Sequence, residues 1–289
     1  MSSSRGVAVR WLVAGAQGML GQDLVAQLRE RGDEVTAVDR DEVDITDPAA
    51  TLAAVAGHHV VVNVAAWTAV DDAETKEGAA FAVNALGAAS LARASAAHGA
   101  RMVQISTDYV FDGAATTPYA EDELPAPRSA YGRTKAAGEW AVRAELADHL
   151  IVRTAWLYGA GGPCFPKTIA RVARERGGLD VVDDQVGQPT WTVDLSALVL
   201  RLVDAGAPAG TYHGTSSGLA SWHSFAQAIV GAAGMDPQIV APTTSEAFVR
   251  PAPRPSYSVL GHEALHRIGV EPIGPWEQRW ELAAPSVLA

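Results

Sequence analysis

A glycine-rich turn near the N-terminus constrains the fold more than any other feature of the chain. Gly15, Gly18 and Gly21 follow the apolar run 7–13 directly and open the helical pattern 18–31, with the spacing G-x-x-G-x-x-G. In this position the first glycine permits a tight turn, the second lets a pyrophosphate approach the backbone, and the third lets the helix pack on the strand. The turn therefore predicts a dinucleotide-binding βαβ unit.

The rest of the first half alternates short β-branched runs with alanine-rich helical stretches. The predicted strands are 34–38, 60–64, 102–106 and 150–153, and the predicted helices are 79–98 and 130–146. Continuously apolar strands that alternate with helices are typical of a parallel sheet covered on both faces. The expected fold class is α/β, a Rossmann doubly wound parallel sheet with a smaller C-terminal substrate-binding lobe.

Loop-forming residues become more frequent after Tyr158. Residues 159–163 are predicted as a loop and 167–176 as a helix, and 242–255, with four prolines and two arginines, as a surface loop. We expect residues 1–158 to be mainly the NAD(P)-binding domain and 159–289 mainly the substrate-binding lobe, with the chain free to cross between them.

Composition excludes several classes of function. A net charge of -11 argues against a nucleic-acid or membrane partner, because both need clustered Lys and Arg. Cys164 is the single cysteine, so a disulfide framework is excluded and a reducing compartment is favoured. Residues 1–5 read as a short polar lead-in, and no apolar run approaches the roughly 20 residues that span a bilayer. A cytoplasmic location is expected.

Two acidic positions are candidates for the adenosine half of the cofactor. Asp39 lies at the end of the second predicted strand, where a carboxylate binds the ribose of NAD. Arg40 follows and offers a partner for the 2′-phosphate of NADP, so these two residues leave the choice open. Asp44 and Ile45 are candidates for the adenine, although Asp44 is as easily part of a turn or a helix cap.

A Tyr/Lys pair with helical spacing points to proton transfer. Tyr131 and Lys135 lie one turn apart on the same face of the predicted helix. An ammonium at that spacing is expected to lower the pKa of the phenol and make it a usable general acid for a carbonyl oxygen. Thr107 follows a predicted strand, and carboxyl ends of strands form the sites of open α/β sheets. The three residues predict a ketone reductase.

With these residues identified, the chain resembles the dTDP-4-dehydrorhamnose reductase family of extended short-chain dehydrogenases. The segments that carry the resemblance are 62–71, 106–111, 131–135, 153–158, 184–190 and 254–260, which span most of the chain. The family implies an NAD(P)H-dependent reduction of the C4 ketone of a dTDP-4-dehydro-6-deoxy sugar, in the first place dTDP-4-dehydro-L-rhamnose. It favours NADPH as the cofactor, with NADH tolerated. A monomer or a homodimer is expected, and the sequence does not choose between them.

The resemblance also assigns site residues by position. Catalysis falls to Thr107, Tyr131 and Lys135. The cofactor-binding set is Gly15, Gln17, Gly18, Met19, Leu20, Gly21, Asp39, Arg40, Asp44, Ile45, Ala65, Ala66, Trp67, Tyr131 and Lys135. The substrate-binding set is Thr107, Asp108, Tyr109, Tyr131, Trp156 and Arg254. Arg254 is the candidate for the substrate phosphates, its alternative being a loop arginine paired with a carboxylate. Trp67 and Trp156 are otherwise core aromatics.

Three questions stay open at the level of sequence. Some family members bind Mg²⁺ between subunits, and Asp23 and Asp194 occupy the matching positions, but surface carboxylates are more often only solvated, so no metal is assigned. A ketoreductase or a dihydrostreptose-forming enzyme of an antibiotic deoxysugar pathway is the nearest alternative. A non-catalytic regulatory subunit, as in relatives that partner methionine adenosyltransferase, is a remote one, disfavoured by the intact Thr107, Tyr131 and Lys135.

Overall fold

The central feature of the fold is a sheet of six parallel strands. The computed structural model describes residues 8–289, so the predicted lead-in 1–5 and the first residue of the predicted strand 7–13 lie outside the described residues. The strands are β1 (Arg10–Ala14), β2 (Glu34–Val38), β3 (Val60–Asn63), β4 (Arg101–Thr107), β5 (His149–Thr154), β6 (Leu157–Tyr158), β7 (Leu179–Val182), β8 (Val186–Gly187), β9 (Thr190–Trp191), β10 (Gly210–His213), β11 (Ser216–Ser217), β12 (Ala220–Ser221), β13 (Val240–Thr243) and β14 (Ile273–Pro275). The α-helices are α1 (Met19–Glu30), α2 (Pro48–Val55), α3 (Val70–Ala73), α4 (Glu77–Phe81), α5 (Ala88–His98), α6 (Ala130–Glu145), α7 (Phe165–Arg176), α8 (Thr192–Asp204), α9 (Trp222–Ala232), α10 (Glu263–Arg267) and α11 (Trp276–Val287).

The order of strands in the main sheet is β10-β5-β4-β3-β1-β2. The order reverses between β1 and β3, and α/β proteins bind ligands in the crevice outside the carboxyl ends of the strands at such a point. Ala14 of β1 pairs with Val38 of β2 on one side and with Asn63 of β3 on the other. The ends of these three strands therefore meet at one edge of the sheet.

Helices cover both faces of this sheet, as the continuously apolar strands predicted. On one face Leu24 of α1 and Leu198 of α8 pack with Val13 in a single buried cluster. On the other face Leu91 of α5 packs with Leu12. Each fully buried side chain of this kind stabilises the fold by about 1.5–3 kcal/mol relative to exposure. The α/β doubly wound fold expected from the sequence is confirmed.

The chain crosses between the two halves of the protein. Strand β10 pairs with β5 at the edge of the main sheet, although it lies far beyond residue 158. Helix α8, also beyond that residue, packs in the core cluster of the sheet. The division into residues 1–158 and 159–289 stays a prediction, and α8 and β10 are the crossings for which it allowed.

The C-terminal lobe has an aromatic core. Tyr158, Phe225 and Trp280 pack around one another, with all three pairs of ring centroids 5.5 Å apart. Aromatic pairs prefer such tilted and edge-to-face contacts, which add about 0.5–1.5 kcal/mol beyond their buried area. The remaining strands form four two-stranded pairs, β6-β9, β7-β13, β8-β12 and β11-β14, and residues of the first three contribute to this core.

Three local features differ from the sequence predictions. The predicted surface loop 242–255 begins inside strand β13, which pairs with β7. Helix α2 was not predicted; Asp47 caps it by accepting the N–H of Ala49 at 2.8 Å. The predicted helix 79–98 contains a π-helical stretch, Ala82–Gly87, between α4 and α5.

Among residues 8–289, no helix combines the length and the apolarity needed to cross a membrane.

Candidate active site

The glycine turn connects β1 to α1 with a geometry that only glycine allows. Gly15 has φ +86°, and a Cβ there would lie 2.6 Å from the nitrogen of Ala65. A Cβ on Gly21 would lie 2.3 Å from the carbonyl oxygen of Gly15. Helix α1 starts at Met19, and its N-cap Gly18 has no side chain to satisfy the first N–H groups. These free donors and the positive end of the helix dipole make the turn a site for a pyrophosphate.

The adenosine end of the site is organised around Asp39. Its carboxylate accepts the backbone N–H groups of Gln17 at 2.9 Å and of Arg40 at 2.8 Å, which ties the end of β2 to the glycine turn. Asp44 accepts the hydroxyl and the N–H of Thr46 at 2.7 and 2.9 Å, and these bonds lower the pKa of its carboxyl. Asp44 thus forms the turn that the sequence left as an alternative, while still lining the cavity.

The segment after β3 is fixed by a residue that the sequence analysis missed. Asn84, buried in the π-helical stretch, accepts the N–H of Trp67 at 2.8 Å and donates to its carbonyl at 3.2 Å. It also donates to the hydroxyl of Thr134 on α6 at 3.0 Å. Asn84 therefore ties the segment that contains Trp67 to the helix that carries Tyr131 and Lys135. The sequence signal that could have identified Asn84 is a single asparagine in an otherwise apolar helix.

Thr107, Tyr131 and Lys135 come together at the carboxyl end of β4. Thr107 is the last residue of that strand, and Ser129 caps α6 by accepting the N–H of Gly132 at 3.0 Å. The cap places Tyr131 in the first turn of the helix and Lys135 one turn further. Lys135 is 4% exposed, and its Nζ donates to the carbonyl of Ile105 in β4 at 2.7 Å. The ammonium is thereby anchored beside the strand end.

The pKa values of the pair follow from their burial. Burial and the nearby charge of Asp108 raise the pKa of Tyr131, with hydrogen bonding to Thr107 opposing them. Burial lowers the pKa of Lys135 to about 8, with the charge of Glu139 opposing it. The expectation that Lys135 lowers the pKa of the phenol is wrong for this structure, because burial dominates and the ammonium is bonded to Ile105. The phenol is therefore protonated at neutral pH, as a proton donor must be.

Asp108 is a buried carboxyl within the site. It is 3% exposed, and burial raises its pKa to about 6. Its Oδ1 accepts the hydroxyl of Thr107 at 2.8 Å, whereas its Oδ2 has no hydrogen-bond partner among residues 8–289. This oxygen is enclosed by the protein, although Asp108 itself lines the cavity described below. Tyr109, the next residue, packs edge-on against Tyr131, with ring centroids 5.6 Å apart.

A buried ion pair beneath the site was also missed by the sequence analysis. Both oxygens of Glu139 bind the guanidinium of Arg153, at 2.9 and 2.8 Å, and one also accepts the hydroxyl of Ser106 at 2.6 Å. Burial acts to raise the pKa of Glu139, but the bonds and charge of Arg153 hold it below its ordinary value. The spacing i, i+4, i+8 from Tyr131 through Lys135 to Glu139 was the available signal.

One cavity of about 1060 Å³ joins these features. Its lining contains every cofactor-binding and catalytic residue predicted from the sequence, and the substrate-binding candidates Thr107, Asp108, Tyr109, Tyr131 and Trp156. Trp67 and Trp156 thus both line the cavity, and Trp67 also packs against a small buried cluster that contains Tyr131. The loop that contains Gly161, Gly162 and Pro163 also lines it, which the sequence did not predict. The nucleotide-binding turn and the Tyr/Lys pair therefore share one space.

Arg254 lies apart from this lining. One of its guanidinium nitrogens donates to Asp71 at 2.9 Å and another to the carbonyl of Ala252 at 3.1 Å. This is the pairing with a carboxylate that the sequence left as the alternative. Its side chain keeps 23% exposure, so a role toward substrate phosphates stays a prediction.

The two candidate metal ligands are engaged with protein groups. Asp23 accepts the hydroxyl of Thr192, and both oxygens of Asp194 accept the guanidinium of Arg279. No three His, Cys, Asp or Glu side chains of the described part of the chain cluster as a metal site would require. Because the charge of Asp194 is already compensated, this arrangement does not fit a Mg²⁺ ion.

Comparison with known proteins agrees with this geometry. The chain matches the family described as "RmlD substrate binding domain" over residues 9–287. It is 51% identical over 274 residues to a dTDP-4-dehydrorhamnose reductase of Streptomyces griseus, covering 92% of this chain and 90% of that protein. It is 48% identical over 286 residues to a probable dTDP-4,6-dihydroxy-2-methyloxan-3-one 4-ketoreductase of Streptomyces antibioticus, covering 97% and 96%.

A solved structure shows the same fold with its cofactor. The dTDP-4-dehydrorhamnose reductase of Bacillus anthracis in complex with NADP superposes with a TM-score of 0.93 at 37% identity, covering 96% of this chain and 99% of that one. The resemblance inferred from the motifs is confirmed by sequence and by structure. The chain belongs to the dTDP-4-dehydrorhamnose reductase family.

Proposed function

We propose that this protein reduces the C4 ketone of a dTDP-linked 4-dehydro-6-deoxy sugar with a nicotinamide cofactor, converting dTDP-4-dehydro-L-rhamnose to dTDP-L-rhamnose. The observation that carries the proposal is the single cavity lined by both the glycine turn and Thr107, Tyr131 and Lys135. A dinucleotide held on the turn extends along the strand ends toward the Tyr/Lys pair. The names of the relatives supply the sugar nucleotide.

The residues of the chain have distinct tasks in this reaction. When bound, the nicotinamide supplies the hydride. Tyr131 donates its phenolic proton to the carbonyl oxygen at C4, which becomes the hydroxyl of the product. When substrate binds, the Thr107 hydroxyl exchanges the bond that it donates to Asp108 for a bond to the same carbonyl oxygen. Lys135 holds the cofactor ribose. Asp108, which lines the cavity, accepts a hydroxyl of the sugar.

NADPH is the proposed cofactor, with NADH tolerated. The carboxylate of Asp39 is occupied by the N–H groups of Gln17 and Arg40, while the Arg40 side chain is exposed at the cavity. A free guanidinium suits a 2′-phosphate. The NADP complex of the Bacillus anthracis relative supports this choice.

The alternative with a specific observation behind it keeps the chemistry and changes the sugar. The Streptomyces antibioticus relative is named as a 4-ketoreductase of a different dTDP-sugar, and one of Streptomyces niveus, 47% identical over 279 residues, as a dTDP-4-keto-6-deoxy-D-glucose reductase. An antibiotic deoxysugar substrate is therefore the second candidate. The monomer or homodimer assembly and the cytoplasmic location stay predictions.

The experiment that tests the function is NADPH oxidation with dTDP-4-dehydrorhamnose, followed by NMR of the product. The NMR spectrum identifies the sugar and the configuration at C4. Tyr131→Phe should bind NADPH normally and lose about 10²–10⁴-fold in turnover, because it removes the general acid. Tyr212→Phe is the matched control, since that hydroxyl binds only the carbonyl of Pro208 outside the cavity. No NADPH consumption with any dTDP-4-keto sugar would refute the proposal and favour a regulatory role.

A further inference from the structure

The backbone at Trp156 has an unusual conformation. Its φ is +48°, and no other non-glycine residue among 8–289 has a positive φ. Because this region is strongly disfavoured for a bulky side chain, surrounding contacts must hold it there. One of these contacts is the N–H of Thr190, which donates to the carbonyl of Trp156 at 3.2 Å. Trp156 also lines the cavity, so the strained residue forms part of its wall.

A second tryptophan stacks on this indole. Trp222, the first residue of α9, lies parallel to Trp156 with ring centroids 3.5 Å apart and planes inclined by 7°. Phe165, the first residue of α7, packs in turn against Trp222, with centroids 4.4 Å apart. Trp222 is not among the described residues that line the cavity. Any effect that it has on a ligand must therefore pass through Trp156.

Gly187 provides the space for the same indole. A Cβ at this position would lie 2.5–2.7 Å from three atoms of the Trp156 ring, so any other residue would displace it. Gly187 pairs with Ala220 of β12, and that strand leads directly into Trp222. Trp222, Gly187 and Thr190 thus surround Trp156, and we call these three residues the cradle; Gly187 and Thr190 both belong to the 184–190 segment.

We propose that Trp222 and Gly187 are positioning residues that set the Trp156 indole against the sugar of the nucleotide substrate. This inference rests on the proposed function. Trp222 and Gly187 belong to elements outside the main sheet. Trp156 lies two residues after the end of β5, the neighbour of the strand that ends at Thr107. The cradle therefore determines how far the wall of the cavity stands from the catalytic strand end.

Circular dichroism detects the stacking of Trp156 and Trp222 without any ligand. Stacked indoles at 3.5 Å couple their electronic transitions. Such coupling gives an exciton couplet in the far-ultraviolet spectrum whenever one ring is twisted within its plane relative to the other, so we expect a couplet in the wild type. Trp222→Phe should lose the couplet but keep a stacking ring, Trp222→Ala should lose both, and Gly187→Ala should weaken the couplet by displacing Trp156. Trp140→Phe is the matched control, because Trp140 is 59% exposed and lies outside the stack. It should keep the couplet.

The consequence of displacing the Trp156 ring is measured by ligand affinity and turnover. In Trp222→Ala and Gly187→Ala we expect roughly a tenfold fall in the affinity for dTDP-rhamnose and in kcat/KM for the keto sugar, the scale of one lost aromatic contact. The affinities for dTDP alone and for NADPH should not change, because neither contacts the sugar wall. Trp222→Phe should stay within about twofold of the wild type, since a phenyl ring still supports the indole.

Loss of the couplet in Trp222→Ala with unchanged affinity for dTDP-rhamnose and unchanged kcat/KM would overturn the inference. If that variant does not fold, Trp222→Leu, which retains apolar volume, and Gly187→Ala carry the same expectations. The proposed function fails separately, when the wild type neither consumes NADPH with the keto sugar nor binds dTDP-rhamnose more tightly than dTDP. In that case the circular dichroism of Gly187→Ala still tests whether Gly187 positions the Trp156 ring, and an unchanged couplet refutes that role.

Discussion

The pH dependence of kcat/KM should report two buried groups of the site. Asp108 must be ionised to accept a sugar hydroxyl, and its pKa is raised by burial to about 6. The change from its ordinary value of 3.8 corresponds to roughly 3 kcal/mol of cost for the buried carboxylate. Lys135 must be protonated, and burial lowers its pKa to about 8. We therefore expect a bell-shaped profile with limbs near pH 6 and pH 8.

The magnitude of each limb follows from the fraction of the active form. Half of the molecules carry the Asp108 carboxylate at its pKa and about one in ten carries it one pH unit below, so kcat/KM should fall about five-fold between pH 6 and pH 5 and approach a tenfold fall per unit at lower pH. A similar fall is expected per unit above the pKa of Lys135. Tyr131 does not contribute a limb in this range, because burial raises the pKa of its phenol. The assay is initial-rate NADPH oxidation with saturating cofactor at constant ionic strength.

Asp108→Asn tests the assignment, because an amide does not titrate. The variant should be slower at neutral pH and should lose the acid limb. Glu121→Gln is the matched control: Glu121 is a buried carboxyl whose pKa is also raised by burial, and it lies outside the cavity. It should keep both limbs. A wild-type profile that is flat between pH 5 and pH 7, or an acid limb that survives in Asp108→Asn, would show that the reasoning is wrong.

Three further predictions concern other parts of the molecule. Arg254→Ala should raise KM for the sugar nucleotide about 10- to 100-fold with little change in kcat, because one charge-assisted bond to phosphate is lost. Asp71→Asn keeps the guanidinium of Arg254 and should change KM only a few-fold. Arg40→Ala should lower the ratio of kcat/KM with NADPH to that with NADH by roughly tenfold, measured with both cofactors. Burial lowers the pKa of His262 to about 4, so the stability that the neutral ring provides above pH 6.5 is lost as the pH falls toward 4. In urea unfolding, the free energy of unfolding of His262→Asn should therefore fall by roughly 2 kcal/mol less than that of the wild type between pH 6.5 and pH 5.

Each of these predictions has a control and a contradicting result. Arg250→Ala removes a more exposed arginine near Asp71 and should leave KM unchanged; an unchanged KM in Arg254→Ala would reduce that residue to a partner of Asp71. An unaltered cofactor ratio in Arg40→Ala would remove the 2′-phosphate role. His58→Asn is the control for His262, because His58 also bonds a threonine hydroxyl but through an exposed contact, whereas the contact of His262 is part-buried. Equal acid sensitivity in all three proteins would count against the burial argument.

Short-range patterns predicted much of the site. The spacing of Gly15, Gly18 and Gly21 and the i, i+4 pair Tyr131 and Lys135 are local, so their geometry follows from a strand, a turn and a helix alone. The placements that were missed depend on partners far along the chain. Asn84 reaches Trp67 and Thr134, and the bonds that it forms there are visible only after the helices have packed.

The sequence by itself determined the glycine turn, the Tyr131/Lys135 pair, the family motifs and the alternation of the main strands and helices, although it did not reveal helix α2. The tertiary structure decided the direction of the pKa shift of Tyr131, the pairing of Arg254 with Asp71, and the stacking of Trp222 on Trp156. The physical reason is the same in each case: desolvation, ion pairing and ring stacking depend on which distant atoms surround a group, and a linear pattern does not contain those distances.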